Sequence, residues 1–138
     1  MIDNNCIFCK IANGEIPSAT LYEDEDFRAI LDLGPATEGH CLILPKQHYA
    51  DLFELSDDAS QKVIKVAQKV GSALMEGLDA EGLNLVQNNG ELAGQTVMHC
   101  HFHLIPRYKK GNQLALWKPG KLTEEDSKTI TKKVISKM

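Results

Sequence analysis

Little in this chain suits it to a membrane or to a nucleic acid. None of its apolar runs approaches membrane-spanning length. The first ten residues, MIDNNCIFCK, lack the basic stretch and apolar run of a secretory leader. No run of lysine and arginine is long enough to make a dominating basic stripe, and the net charge is −4. Binding a nucleic acid polymer by neutralising its phosphates is therefore a poor fit. A small phosphorylated ligand needs only a few local donors and stays open. Internal repeats, low-complexity stretches and linkers are absent too. Cysteine is sparse: Cys6, Cys9, Cys41 and Cys100. The expectation is a cytoplasmic protein whose cysteines are thiols or metal ligands, not disulfides.

What is present is ordinary for a soluble domain, with 43% hydrophobic and 25% charged residues. A chain of 138 residues has room for one domain with a sizeable core. The expected domain spans residues 1–138, with its core at about 6–108 and a C-terminal segment at about 109–138 that can end in a helix. Short strands are expected at 21–23 and 27–31, around the acidic turn Glu23-Asp24-Glu25-Asp26. A third is expected at 40–44, stopped by Pro45. The clearest helix runs over about 58–78, where Val63, Val66, Val70 and Leu74 recur at helical spacing and Asp58 with Gln61 can form a capping box. Strands follow at 83–87 and 97–107, and Thr123 with Asp126 can start a C-terminal helix. One dominant helix beside several neighbouring strands predicts an α+β domain with an antiparallel sheet of about five strands.

Three of the five histidines fall within five residues, in VMHCHFHLIP (97–106). On a strand, His99, His101 and His103 would share one face, and Cys100, Phe102 and Leu104 the other, apolar one. The outer two Cα atoms would lie roughly 13 Å apart. Zinc needs nitrogen at about 2.0–2.1 Å, so one ion held by all three is a poor reading, although two neighbours can share one. Phosphate chemistry suits the row better. One neutral imidazole can attack phosphorus, and a second can donate to oxygens or to a leaving group.

GQTVMHCHFHLIPR resembles the signature of the histidine triad (HIT) family, which alternates three histidines with apolar residues. CIFCKIANGEIPSATLYEDEDFRAILD resembles the opening block of that family, GHCLILPKQH its second block and NNGELAGQTVMHCHFH its third. The resemblance covers most of the chain. It implies a homodimer with one sheet continuous across both subunits, and a purine nucleotide bound to each. It also implies attack on the α-phosphorus, giving a nucleotidyl-histidine that water then hydrolyses.

Carried over residue by residue, the resemblance implies His101 as nucleophile, with His103 at the α-phosphate and His40 in the same polar network. It places Asn88, Gln95 and Thr96 on the phosphate side and Asp32 at the ribose hydroxyls. It lines the base slot with Phe8, Ile11, Ile16 and Leu33. Without it, Asn88 reads as turn chemistry, Asp32 as a cap or solvated charge, and the four apolar residues as core.

Cys6-Ile7-Phe8-Cys9 is a CxxC with no second CxxC and no surrounding βαβ pattern, so a redox role is unconvincing. As half of a structural zinc site it needs two more ligands, and His48 and His99 are candidates. The resemblance supports this, because some bacterial members carry a Cys2His2 zinc. Four protein ligands would leave no open position, making the zinc structural. Cys41 and Cys100 read as buried small hydrophobes. Trp117 can reach an active site or pin the tail to the sheet.

The leading expectation is a hydrolase of a nucleoside phosphoramidate or adenylated amine. Dinucleoside polyphosphates are an alternative class. A leaving amine needs a proton more than a polyphosphate does, so its departure depends on an acid such as His40 or His103. The related nucleotidyltransferases carry glutamine at the third histidine, and His103 favours hydrolysis. A non-catalytic nucleotide-binding module and a metalloenzyme using the triad as ligands are the other two classes.

Overall fold

In the computed structural model, residues 1–111 and 117–138 are described. Five strands form one antiparallel sheet: β1 (Thr20–Glu23), β2 (Phe27–Leu31), β3 (Cys41–Pro45), β4 (Gly82–Val86) and β5 (Phe102–Arg107), in the order β1-β2-β3-β5-β4. Three α-helices accompany it among the described residues: α1 (Ile7–Ala12), α2 (Asp57–Gly77) and α3 (Glu124–Ile135). The expected α+β class and strand number hold.

The long helix starts at a different cap. Ser56, not Asp58, accepts from the Ala59 amide, and Asp57 and Asp58 occupy the first turn, where acidic side chains favour the positive helix end. From there Val63, Val66, Val70 and Leu74 bury one stripe against the sheet. Strand alternation supplies the other half of that core: Phe27 and Ala29 from β2, Cys41 and Ile43 from β3, Phe102 and Leu104 from β5.

The opposite face of the sheet carries a smaller cluster of Ile30, Leu42 and Leu44 with Ala12, against which Phe8 and Ile11 pack. A helix of six residues has no stability of its own. Side chains at both ends hold α1. Cys6 Sγ accepts from the Cys9 amide at its start. At its end the Asn13 amide donates to the carbonyls of Cys9 (2.9 Å) and Lys46 (3.0 Å), and Arg28 Nε donates to Ala12 O.

The triad segment departs from the expected strand. Only residues 102–107 pair, and the ladder with β3 ends at Ile43↔Phe102. Two residues beyond Ile43 stands Pro45, which has no amide proton to give. Residues 97–99 bend instead, with the His99 amide on Val97 O at 2.8 Å. His99 and His101 thus precede the strand that carries His103. No helix is long and apolar enough to cross a membrane among the described residues.

Candidate active site and metal centre

His99 is fully buried, and its two ring nitrogens face different partners. Nε2 lies 2.9 Å from Pro45 O, and a carbonyl only accepts, so Nε2 carries the proton. Nδ1 is left with its lone pair, 3.4 Å from Cys6 Sγ and 3.5 Å from Cys9 Sγ. His48 Nδ1 stands 3.4 Å from Cys9 Sγ. All four ligand atoms of Cys6, Cys9, His48 and His99 lie within 4.8 Å of one another.

Zinc fits this donor set. Tetrahedral bonds of about 2.3 Å to sulfur and 2.0–2.1 Å to nitrogen put neighbouring S and N about 3.5 Å apart. The spacings found are 3.4, 3.4 and 3.5 Å. Pro45 O also holds His99 in the tautomer that a metal ligand needs. Burial raises the Cys9 thiol, opposed by the Asp3 amide and reinforced by Cys6. A divalent cation would reverse that by favouring thiolate.

One bond away is the second site. The carbonyl of His99 accepts from His101 Nδ1 at 2.6 Å. In the neutral ring that puts the proton of His101 on Nδ1 and the lone pair on Nε2. The ring of Phe8 stands edge-on to His101, with centroids 5.0 Å apart. His101 and His103 have ring centroids 5.0 Å apart, so the two rings stand side by side on the α1 face of the sheet.

His40 immediately precedes β3. Its Nδ1 accepts from the Ala36 amide at 2.9 Å, so its proton sits on Nε2. That proton points at His103 Nδ1, 2.9 Å away, leaving His103 with its own proton on Nε2. Asp32 Oδ2 stands 3.6 Å from His40 Nε2, while Asp32 Oδ1 accepts from the Gly34 amide. Burial pushes the pKa of His40 down, with Arg107 adding to the effect and Asp32 opposing it. His103 is pushed down to about 4 by burial, then by His101 and His40, with Asp32 again opposing. Both rings are neutral at pH 7. Asp32, His40 and His103 also cluster within 4.8 Å. The Ala36 amide keeps a proton on the very atom of His40 that faces the other two, so this group holds a proton rather than a cation.

The remaining residues fall at varied distances from this centre. Gln95 is buried and fully engaged: Oε1 accepts from the Gly90 amide, and Nε2 donates to Ala50 O and Val97 O. Its amide shapes the loop before the triad, contrary to the expectation that it is free to donate to phosphate. Thr96 is exposed beside it. Asn88 is half-buried and close to Gly94, whose φ of +93° suits glycine. Phe8, Ile11 and Ile16 are half-buried. Leu33 is 99% exposed. Cys41 and Cys100 are buried, with thiols pushed up to about 12 and about 11 by burial, as expected of small hydrophobes. Trp117 is 80% exposed. The Ala36 amide and the carbonyls of Pro45 and His99 were not legible in the sequence, because a backbone group has no residue type to announce it.

A five-stranded antiparallel sheet with one long helix, and a row of histidines running up to its fifth strand, defines an α+β domain with a histidine site on one face. Residues 13–110 match the HIT domain, and this chain belongs to that family. It is similar to an adenosine 5′-monophosphoramidase of Schizosaccharomyces pombe, 37% identical over 97% of this chain and 98% of the relative. A HIT family crystal structure from Bacillus subtilis superposes with a TM-score of 0.91 at 40% identity, covering 98% of each chain. A zinc-bound histidine triad protein from Mycobacterium smegmatis superposes with a TM-score of 0.74 at 36% identity, covering 97% of this chain and 98% of that one.

Proposed function

We propose that this chain hydrolyses purine nucleotides at the α-phosphorus through a nucleotidyl-histidine on His101, with nucleoside phosphoramidates or adenylated amines as substrates. The observation that carries this reading is the 2.6 Å bond from His101 Nδ1 to the His99 carbonyl, which in the neutral ring puts the proton on Nδ1 and the lone pair on Nε2. The similarity to a phosphoramidase supports the substrate class.

In the first step the Nε2 lone pair forms a bond to phosphorus as the bond to the leaving nitrogen breaks. That nitrogen takes up a proton, for which the hydrogen-bonded His40–His103 pair is the source once the bound phosphate has drawn an extra proton onto it and made it cationic. Water then attacks phosphorus, the N–P bond breaks, the electron pair returns to His101, and the proton of the water restores the histidine pair. The nucleoside monophosphate leaves. Bound phosphate adds negative charge beside His103 and so favours its donor role.

Asp32 is proposed for the ribose hydroxyls, Asn88 and Thr96 for the phosphate side, and Phe8, Ile11 and Ile16 for the base. Gln95 acts through the loop that it holds. Leu33 is proposed for the same apolar slot as Phe8, Ile11 and Ile16, and the family resemblance implies a homodimer. Cys6, Cys9, His48 and His99 would hold a structural zinc, whose role is to cross-link α1, β3 and the triad loop. The second reading, dinucleoside polyphosphate hydrolysis, uses the same nucleophile and differs in the leaving group.

Turnover of adenosine 5′-phosphoramidate, read as AMP formed, tests the proposal. The wild type should turn over, and His101→Ala should lose on the order of 10³-fold or more in kcat while retaining AMP binding. Near-normal kcat in the variant would remove His101 as nucleophile.

A further inference from the structure

The proton order of the His40–His103 pair depends on a loop with no helix or strand of its own, residues 34–40. We propose that Thr37 is a positioning residue that sets this order by fastening the loop to β5. Only the kinetic consequence rests on the hydrolase reading; the structural claim stands apart from it.

The Thr37 hydroxyl donates to Pro106 O at 2.6 Å, on the strand that carries His103. The Thr37 carbonyl accepts from the His40 amide at 3.1 Å. One residue thus ties the loop both to the strand of one histidine and to the backbone of the other. Ala36, its neighbour, supplies the amide that meets His40 Nδ1. The Tyr108 hydroxyl also reaches this loop, at Glu38 O. Asp32, below the loop, is anchored separately by its own amide on His40 O.

An N–H aimed at His40 Nδ1 opposes a proton there, because it bonds only the unprotonated nitrogen. The groups facing His40 are His103 at 2.9 Å, Asp32 at 3.6 Å and the positive charge of Arg107. If the Ala36 amide withdraws, Asp32 favours a second proton on His40, and the ring can also exchange tautomers. In the exchanged form His40 Nε2 accepts from His103 Nδ1, and His103 Nε2 loses the proton that faces the substrate. The loop therefore decides whether His103 meets a nucleotide as donor or as acceptor.

The test is 15N NMR of the histidine side chains in the intact, nucleotide-free protein, alongside Thr37→Val and Thr37→Ser. Wild type should show His40 and His103 each protonated on Nε2 alone at neutral pH. In Thr37→Val the His40 signals should report mixed tautomers, and its titration midpoint should rise toward the ordinary value of about 6.5. Thr37→Ser should restore both. With phosphoramidate, Thr37→Val should lose roughly 10- to 100-fold in kcat with KM unchanged, the size of a partly lost acid–base contribution. Unaltered His40 tautomer and midpoint in Thr37→Val would overturn the proposal, whatever happens to the rate. If the wild type turns over no nucleotide, the hydrolase reading fails, and the NMR comparison still decides the role of Thr37.

Discussion

At the scale of the residue, His99 serves two centres at once. Its ring faces the Cys6–Cys9–His48 cluster, and its carbonyl holds the proton of His101. His103 is the residue whose environment has the clearest pH signature. Its pKa is about 4 in the folded chain and about 6.5 when unfolded. Between these values the unfolded state binds more protons. The stability that neutral His103 contributes is complete above pH 6.5 and is lost as pH falls toward 4. The melting temperature should drop more steeply from pH 7 to pH 5 in the wild type than in His103→Gln, measured by differential scanning calorimetry. Equal slopes would contradict the burial argument. The identity of the site histidines was legible through the family signature, and their common face through alternation, with Cys100, Phe102 and Leu104 in the core on the other side. Strand alternation predicted one shared face for all three. They do share it, yet His99 sits on the bent segment and His101 just before the paired strand, because Pro45 has no amide proton to extend the ladder and the ring of His99 fills the place of a backbone bond.

At the scale of the element, α1 and the 34–40 loop are the parts that tertiary contacts must hold. The six residues of α1 carry Cys9 and Phe8, with Cys6 as the cap. Cys9→Ala should abolish bound zinc, from about one ion per chain, and lower the melting temperature by roughly 10 °C or more, since structural zinc contributes folding free energy. Elemental analysis and calorimetry check this, and unchanged metal content would remove the zinc claim. In the loop, Gly39 has φ +84° and a Cβ there would meet Leu78 Cδ1. Gly39→Ala should destabilise the chain by about 1–3 kcal/mol in urea unfolding, and a value near zero would mean that α2 yields more readily than its packing implies. Strand β2 was legible to the residue, because hydrophobic runs bounded by turn residues mark their own limits. The α2 cap was not: Ser56, Asp57 and Asp58 are all competent caps, and sequence alone does not choose among adjacent ones.

At the scale of the whole molecule, the sheet separates two jobs. One face carries α2 and the larger core, and the other carries α1, the histidines and the Cys2His2 cluster. The α+β class and five-strand sheet followed from element pattern, whereas strand order depends on long-range pairing that no local pattern records. Leu33, at 99% exposure, and Leu92, wholly exposed, are apolar side chains at the surface. For the homodimer that the family resemblance implies, sedimentation equilibrium should give twice the chain mass of 15.3 kDa, and a monomer at micromolar concentration would contradict it. The central claim is covalent catalysis by His101. Its most direct test is intact mass spectrometry of protein quenched during turnover of adenosine 5′-phosphoramidate, with His101→Ala alongside. The account predicts a transient adduct of one nucleoside monophosphoryl group on the wild type and none on the variant. Turnover without an adduct at any quench time, or an adduct that persists in His101→Ala, would contradict it.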